Sequence, residues 1–339
     1  MPTWGGILNE IKAERAKKPA PTPGTEFDIV RRRYLKEVAK TTGRNVVLYA
    51  TAWTQPGSDP QLTSVTMEDL QGLMEVFHGL AAAKGVDLIL HSPGGSAEAA
   101  EAIVNYMRSK FSDVRVIVPH AAMSAATMLA CSGDRLLMGK HSFLGPIDPQ
   151  FILSGGDVYT RVAPAHAIME QFKFAQDECA KNPAKIATWL PILRSLGPSL
   201  LMQCRYHTDL AESLVGSWLA KYMLSGHPDA VAKAEAIAKT LNNHDHFKSH
   251  SRFIPREELK TLGLVVDDLE SDQQLQDLVL SVYHAATHTF SGTGVAVQKI
   301  IENNWGKAFI KSQQIVQFQA VKAGGAGSFA LPMPPMLAS

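Results

Sequence analysis

The feature that most constrains the fold is the stretch from Asp87 to Gln150, where two apolar segments each run into a turn and then a helix-like segment. The first reads DLILHSPGGS, the second VRVIVPHAAMSAATMLACSGD, and LGPIDPQ closes the stretch. Val86 to His91 and Val114 to Val118 are apolar enough to be strands covered on both faces, as in a parallel sheet. After Gly95, the residues Ala100, Ile103, Val104 and Met107 fall on one face of a helix. Ser124 to Cys131 reads as a short apolar helix, and Arg135 to Met138 as a further strand. Strands alternating with helices of this length predict right-handed βαβ units and an α/β fold.

Two neighbouring parallel strands end on the same edge of their sheet, which is where α/β proteins bind ligands. The Gly94–Gly95 turn has no Cβ atoms, so a ligand can approach its backbone closely. The helix behind it contributes unpaired N–H groups and the positive end of its dipole. Neither GxxxxGK[ST] nor GxGxxG is present, so the turn lacks a nucleotide-binding signature. Ser124 opens the next helix, a position that suits a helix cap or a nucleophile. Read as chemistry, Ser124 is the nucleophile, and the N–H groups of Gly95 and Ala125 converge on a substrate carbonyl oxygen. Gly94–Gly95 then forms the oxyanion hole. Read as structure alone, the glycines make a turn and the serine caps a helix.

The rest of the chain narrows the classes. Three cysteines (Cys131, Cys179 and Cys204) have neither metal-type spacing nor an even number for a disulfide framework. A formal charge of +1 gives no electrostatic reason to expect nucleic acid or an anionic membrane. No apolar run reaches the roughly 20 residues that span a bilayer. In MPTWGGILNEIKAERAKK the charges follow a short apolar stretch, the reverse of a signal peptide, so a cytoplasmic location is expected. Asn45 to Ala52 reads as the first strand. Thr66 and Asp69 are spaced as a capping box before a helix carrying Leu70, Leu73, Met74, Phe77 and Leu80. Arg31, Arg32 and Arg33 lie on a helix from Phe27 to Lys40, where a basic run usually faces solvent. Four regions are expected: an N-terminal arm and linker at 1–43, an α/β core at 44–270 with a helical insertion at about 163–240, C-terminal helices at 271–322 that include the stretch around Ile300, and a Gly/Pro-rich tail at 323–339.

DLILHSPGGS, AMSAATMLAC, LGPIDPQ and the later EELKTLGLVVDDL together resemble the ClpP-like serine proteases. Within them the chain is similar to the serine dehydrogenase proteinase family, soluble relatives of signal peptide peptidase A. MPTWGGIL, KIATW and QDLVLSVYHA extend the resemblance over most of the chain. It implies a ClpP/crotonase-type α/β superhelix, serine peptidase chemistry on peptide or protein substrates, and a symmetric homo-oligomer. "Dehydrogenase" in the family name denotes the substrate, so no redox cofactor is implied.

The resemblance leaves the general base open. ClpP carries a histidine about 25 positions after its serine, whereas 148 − 124 = 24 leads here to Asp148 in Ile147-Asp148-Pro149. His141, in GKHSF, falls in a turn before that segment. Signal peptide peptidase A relatives use a lysine from the following helical region, which offers Lys173, Lys181 and Lys185. Desolvation can lower a lysine pKa enough to make it a base, and Lys185 in PAKIATW ranks first. His250 is the rival. With His244 and His246 it spells H-D-H-x3-H, but no cysteine or carboxylate cluster completes a metal site there. His284 and His288 lack the glutamate of HExxH. His91 and Asp148 are placed at the pocket. The expected chemistry is a Ser–Lys peptidase without metal or cofactor. The alternatives are a non-catalytic scaffold of the same fold, in which Ser124 only caps a helix, and crotonase-type acyl-thioester chemistry, which needs no nucleophile at that turn.

Overall fold

Seven strands form one mixed sheet in the computed structural model, which describes residues 3–313 apart from 20–21, 23–24, 156–158, 195 and 293–295. The tail expected at 323–339 lies outside the described residues. In chain order the strands are β1 (Asn45–Thr51), β2 (Val86–His91), β3 (Val114–Val118), β4 (Arg135–Met138), β5 (Val266–Asp268), β6 (Ala296–Asn303) and β7 (Ala308–Gln313). Across the sheet they run β5-β4-β3-β2-β1-β6-β7. The first five are parallel, and β6 and β7 join antiparallel beside β1. The fold is therefore mixed α/β.

The apolar runs divide residue by residue between the two faces. Val47, Leu88, Leu90, Val116, Leu136 and Met138 pack on one side, against the helices Ala97–Lys110, Ala125–Cys131 and Leu200–Lys221. Val46, Leu48, Ile89, Ile117 and Leu137 pack on the other, against the helix Gln273–Gly292. Successive strand side chains point to opposite faces, so a strand covered on both is apolar on consecutive residues through its middle. Full burial contributes about 1.5–3 kcal/mol for each large aliphatic side chain.

Two expectations need correction. The stretch around Ile300 is not helical: it is β6, in register with β1 at Ala50↔Ile300 and with β7 at Ile300↔Ile310. Its β-branched residues precede an Asn-Asn-Trp-Gly turn in which Gly306 has φ 88°, a hairpin pattern. The basic run also differs from a solvated face. Arg31 is fully buried, and its guanidinium donates to Glu302 (2.6 Å), Thr289 (2.8 Å) and Asp28 (2.6 Å). The helix Thr25–Thr42 is thereby tied to β6, because a buried cation is tolerated only with its hydrogen bonds and countercharge supplied.

The region from 165 to 241 is helical as expected, with segments Ala165–Lys181, Ile186–Arg194, Leu200–Lys221 and Ala230–Leu241. An antiparallel hairpin, Gln150–Gly155 with Tyr159–Pro164, leads into it. No helix among the described residues is long and apolar enough to cross a membrane.

Candidate active site

The turns after β2 and β3 are stitched together at the C-terminal edge of the sheet. The Ser92 N–H donates to Ala121 O (3.2 Å), and the Met123 N–H donates back to Ser92 O (3.0 Å). Inside the first turn, the Gly94 N–H donates to Ser92 Oγ (3.2 Å). A third segment straps the glycines from outside: Val65 N–H donates to Gly94 O (2.7 Å) and Ser96 N–H to Val65 O (3.0 Å). Only glycine fits there. Gly94 has φ 94°, and a Cβ on it would lie 2.4 Å from Met123 O and 2.7 Å from Ala125 N. A Cβ on Gly95 (φ 155°) would lie 2.3 Å from Val65 O.

The strap is itself anchored. Buried Lys299 donates to Ser64 O (2.6 Å) and to both Asp69 oxygens (2.8 and 2.7 Å). Asp69 also accepts from Tyr49 Oη (2.6 Å) and from Thr66 N (2.9 Å). The Asp69–Thr66 bond is half of the expected capping box, and the helix itself runs Asp69–Phe77. Burial pulls the Lys299 pKa down to about 8 against the attraction of Asp69.

Ser124 precedes the helix Ala125–Cys131 but does not act as a side-chain cap, since its hydroxyl makes no capping hydrogen bond. Its backbone has φ 52° and ψ −122°, a conformation that costs a non-glycine residue on the order of 1–3 kcal/mol. Thr127 holds the helix from below: its hydroxyl bonds Ala122 O (2.8 Å) and Gly145 O (2.9 Å) and accepts from Gly145 N (3.0 Å). The strained serine therefore sits on a rigid support. Ala125 N–H belongs to the first helical turn, where no intrahelical acceptor exists.

A cavity of about 430 Å³ opens over these turns. Ser124, Gly94, Gly95 and Ala125 line it together with His250, Met128, Ile147 and the hairpin residues Ile152 and Val162. His207 and Glu98 line it too, 3.6 Å apart. Behind His250 lies buried Asp148. The two oxygens of this carboxylate meet two different imidazoles: Oδ1 is 2.8 Å from His250 Nδ1, and Oδ2 is 2.9 Å from His244 Nδ1. An ionised carboxylate only accepts, so both Nδ1 atoms carry a proton, and Nε2 is the ring nitrogen of His250 that Asp148 does not engage. Burial pushes the Asp148 carboxyl up. The hydrogen bond and charge of His250, then those of His244, outweigh it, and the net shift is downward.

The structure places the candidate bases in different surroundings. Lys185 ends a short turn, Pro183–Lys185, with its side chain 43% exposed and its ammonium 2.6 Å from Glu178. It is absent from the cavity wall, as are Lys173 and Lys181. His250, ranked second in the sequence, is the base candidate that shares the cavity with Ser124.

Asp148 stands at the spacing where the resemblance implies a histidine. It is where the histidines converge, a role that no local pattern announces. The three histidines of H-D-H-x3-H do not meet at one point: His244 and His250 meet Asp148, while His246 faces Glu258 at 3.8 Å. His141 meets Pro119 O (2.9 Å) and His288 meets Trp4 O (2.8 Å). His207, Glu98 and the Val65 strap were missed, because nothing in their own segments marks them.

His91, expected at the pocket, is a core residue. It is fully buried, 3.1 Å from Ala121 O through Nδ1, and it packs against Trp53, His120 and Tyr283. Burial, reinforced by neighbouring His120, lowers its pKa to about 3. Burial, with His288 and His141, lowers that of His284 to about 4. Both folded-state values lie below the ordinary 6.5, so the unfolded chain binds more protons at acid pH. Their contribution to stability is complete above pH 6.5 and is lost as pH falls toward 4 and then 3. Each group adds a slope on the order of 1.4 kcal/mol per pH unit in that window. Denaturant melts at pH 7, 6 and 5 should show this loss and a shallower one in His91→Gln. Equal slopes in the two proteins would count against it.

Residues 27–173 match the family described as ClpP-like SDH-type serine proteinase. Two uncharacterized proteins of Methanocaldococcus jannaschii are similar to the chain. MJ0137 is 31% identical over 127 residues, which is 37% of this chain and 44% of that protein. MJ1495 is 32% identical over 123 residues, 35% of this chain and 42% of that protein. The chain thus spans less than half the length of these curated relatives. Among solved structures it is similar to the 1510-N membrane-bound stomatin-specific protease in two forms, each 16% identical. A serine-to-alanine mutant aligns over 60% of this chain and 75% of its own with TM-score 0.34. A lysine-to-alanine mutant with a substrate peptide aligns over 72% and 69% with TM-score 0.32.

Proposed function

Over residues 27–173 the chain belongs to the ClpP-like SDH-type serine proteinase family, and from that premise we propose that it hydrolyses peptide bonds through a Ser124 acyl-enzyme, on a ClpP/crotonase-like superhelix. The observation that carries this reading is that Ser124 and an Asp148-bound His250 line one cavity with the glycine turn. Ser124 Oγ attacks the substrate carbonyl while His250 Nε2 takes the hydroxyl proton. The N–H groups of Gly95 and Ala125 stabilise the oxyanion. The C–N bond then breaks, and the amine leaves with the proton that His250 returns. Water, deprotonated by the same imidazole, releases the acid and restores Ser124. Asp148 orients the ring and stabilises its charged form.

The reading includes self-association into a homo-oligomer. It is supported by the exposed apolar side chains Phe174, Ile186, Leu190, Met202 and Tyr206 beyond the hairpin.

The test compares the rates at which a fluorophosphonate probe labels His250→Ala and Lys185→Ala. His250→Ala is expected to slow labelling by about 10²–10⁴-fold, the usual worth of a positioned general base. Lys185→Ala is expected to react like wild type. The opposite pattern would restore the lysine as base and remove His250 from the mechanism.

A further inference from the structure

Asp148 serves two imidazoles, and the proposed reaction uses only one of them. His244 approaches Oδ2 at 2.9 Å with its side chain only 16% exposed, while His250 holds Oδ1 at 2.8 Å. Gln150 Nε2 donates to the same Oδ2 (3.1 Å), so the carboxylate is fixed by donors on both of its oxygens. We propose that His244 is a positioning residue that fixes Asp148 and shares its negative charge with His250, so that a proton arriving at His244 keeps His250 a free base into more acid solution. The inference rests on the Ser124–His250–Asp148 reading.

Two histidines on one carboxylate are coupled. The first proton to bind either ring is drawn by the anion, and the second meets a neutralised Asp148 and a charged neighbour. Asp148 lies against Nδ1 of His244, and the ring of His166, from the helix Ala165–Lys181, stacks on it at 5.6 Å. Asp245, on the same short turn, pairs with His166 (3.1 Å) and with Lys248 (3.5 Å). His246 is turned away to Glu258. The segment His244–His250 reaches the site because Ile147 N–H, next to Asp148, donates to Leu241 O (2.9 Å) and so ties the two strips of chain together.

The test is the pH profile of fluorophosphonate labelling between pH 5 and 9. His244→Asn places an amide N–H where Nδ1 stands, keeping a donor for Asp148, but cannot titrate. It is expected to move the acid midpoint upward by about half a pH unit, leaving labelling at pH 6 about threefold slower relative to its plateau than in wild type. His246→Gln, on the same turn but facing Glu258, is the control and should keep the wild-type midpoint. A merely structural role for His244 would lower the plateau and leave the midpoint in place, which would overturn the inference. An equal shift in both variants would also overturn it.

A second measurement needs no His244 variant. Histidine ¹³Cε1 NMR titration of wild type should show two imidazoles with coupled, broadened curves, the coupling vanishing in His250→Ala. Two independent single-site curves would refute it. Failure of Ser124 to label in wild type at any pH would instead remove the reading on which the inference rests. Labelling at Ser124 with unshifted midpoints removes the inference alone.

Discussion

Ser124→Ala is expected to remove peptide hydrolysis and fluorophosphonate labelling together, lowering turnover by about 10⁴-fold or more, while the protein remains folded. The second half of this expectation is structural. The Ser124 hydroxyl caps no helix, and the Ala125–Cys131 helix is held by Thr127 instead. Losing the oxygen therefore leaves no buried donor or acceptor unpaired. Alanine inherits the strained φ of 52°, so the backbone cost is unchanged. Activity assays and a thermal melt on the same preparation check both halves. Retained hydrolysis would show that the nucleophile is elsewhere, and a collapsed melt would show that Ser124 is a structural residue.

Gly95→Ala should have the second large effect, on both fold and function. Its new methyl would stand 2.3 Å from Val65 O and 2.5 Å from Val65 N, both backbone atoms of the strap. That strap cannot withdraw freely, because Lys299 and Asp69 pin Ser64 and Thr66 on either side of Val65. Relief must come from moving the glycine turn, which displaces the Gly95 N–H from the cavity. A loss of about 2–4 kcal/mol in stability is expected, as for other changes at strained backbone positions. Activity should fall as well, by the roughly 10²–10³-fold that one oxyanion donor is worth. Chemical denaturation and steady-state rates measure the two separately. Wild-type values for both would mean that the turn is looser than its contacts imply.

What was legible in the sequence follows the range of the interactions. The parallel strands were readable because burial on both faces keeps their middle apolar on consecutive residues, as in Leu88–Leu90 of β2. The glycine turn and the serine turn were readable because each is a local backbone requirement, satisfied within a few residues. Ile300 misled because an apolar segment near a chain end fits a helix about as well as a strand, and its partner β1 lies far back in the chain. Arg31 misled for a related reason: its countercharge, Glu302, is distant in sequence and invisible to a count of local charges.

A triad is assembled by tertiary folding, and its members need not share a segment. Asp148 stood at the spacing where relatives keep a histidine, so the position was marked but its partner was not. His250 ranks below Lys185 in the sequence because the lysine stands in a segment with a family pattern; in the fold His250 lines the cavity with Ser124, whereas Lys185 is exposed and pairs with Glu178.

The central claim is that Ser124 is a nucleophile whose substrate oxygen is received by the glycine turn. The most direct measurement is a crystal structure of the protein after reaction with a fluorophosphonate, with the modified peptide identified by mass spectrometry. The predicted result is a single adduct on Ser124 Oγ, its phosphoryl oxygen within hydrogen-bond distance of the Gly95 and Ala125 N–H groups and His250 beside it. An adduct on another residue, or a folded protein that the probe leaves unmodified, would contradict the account.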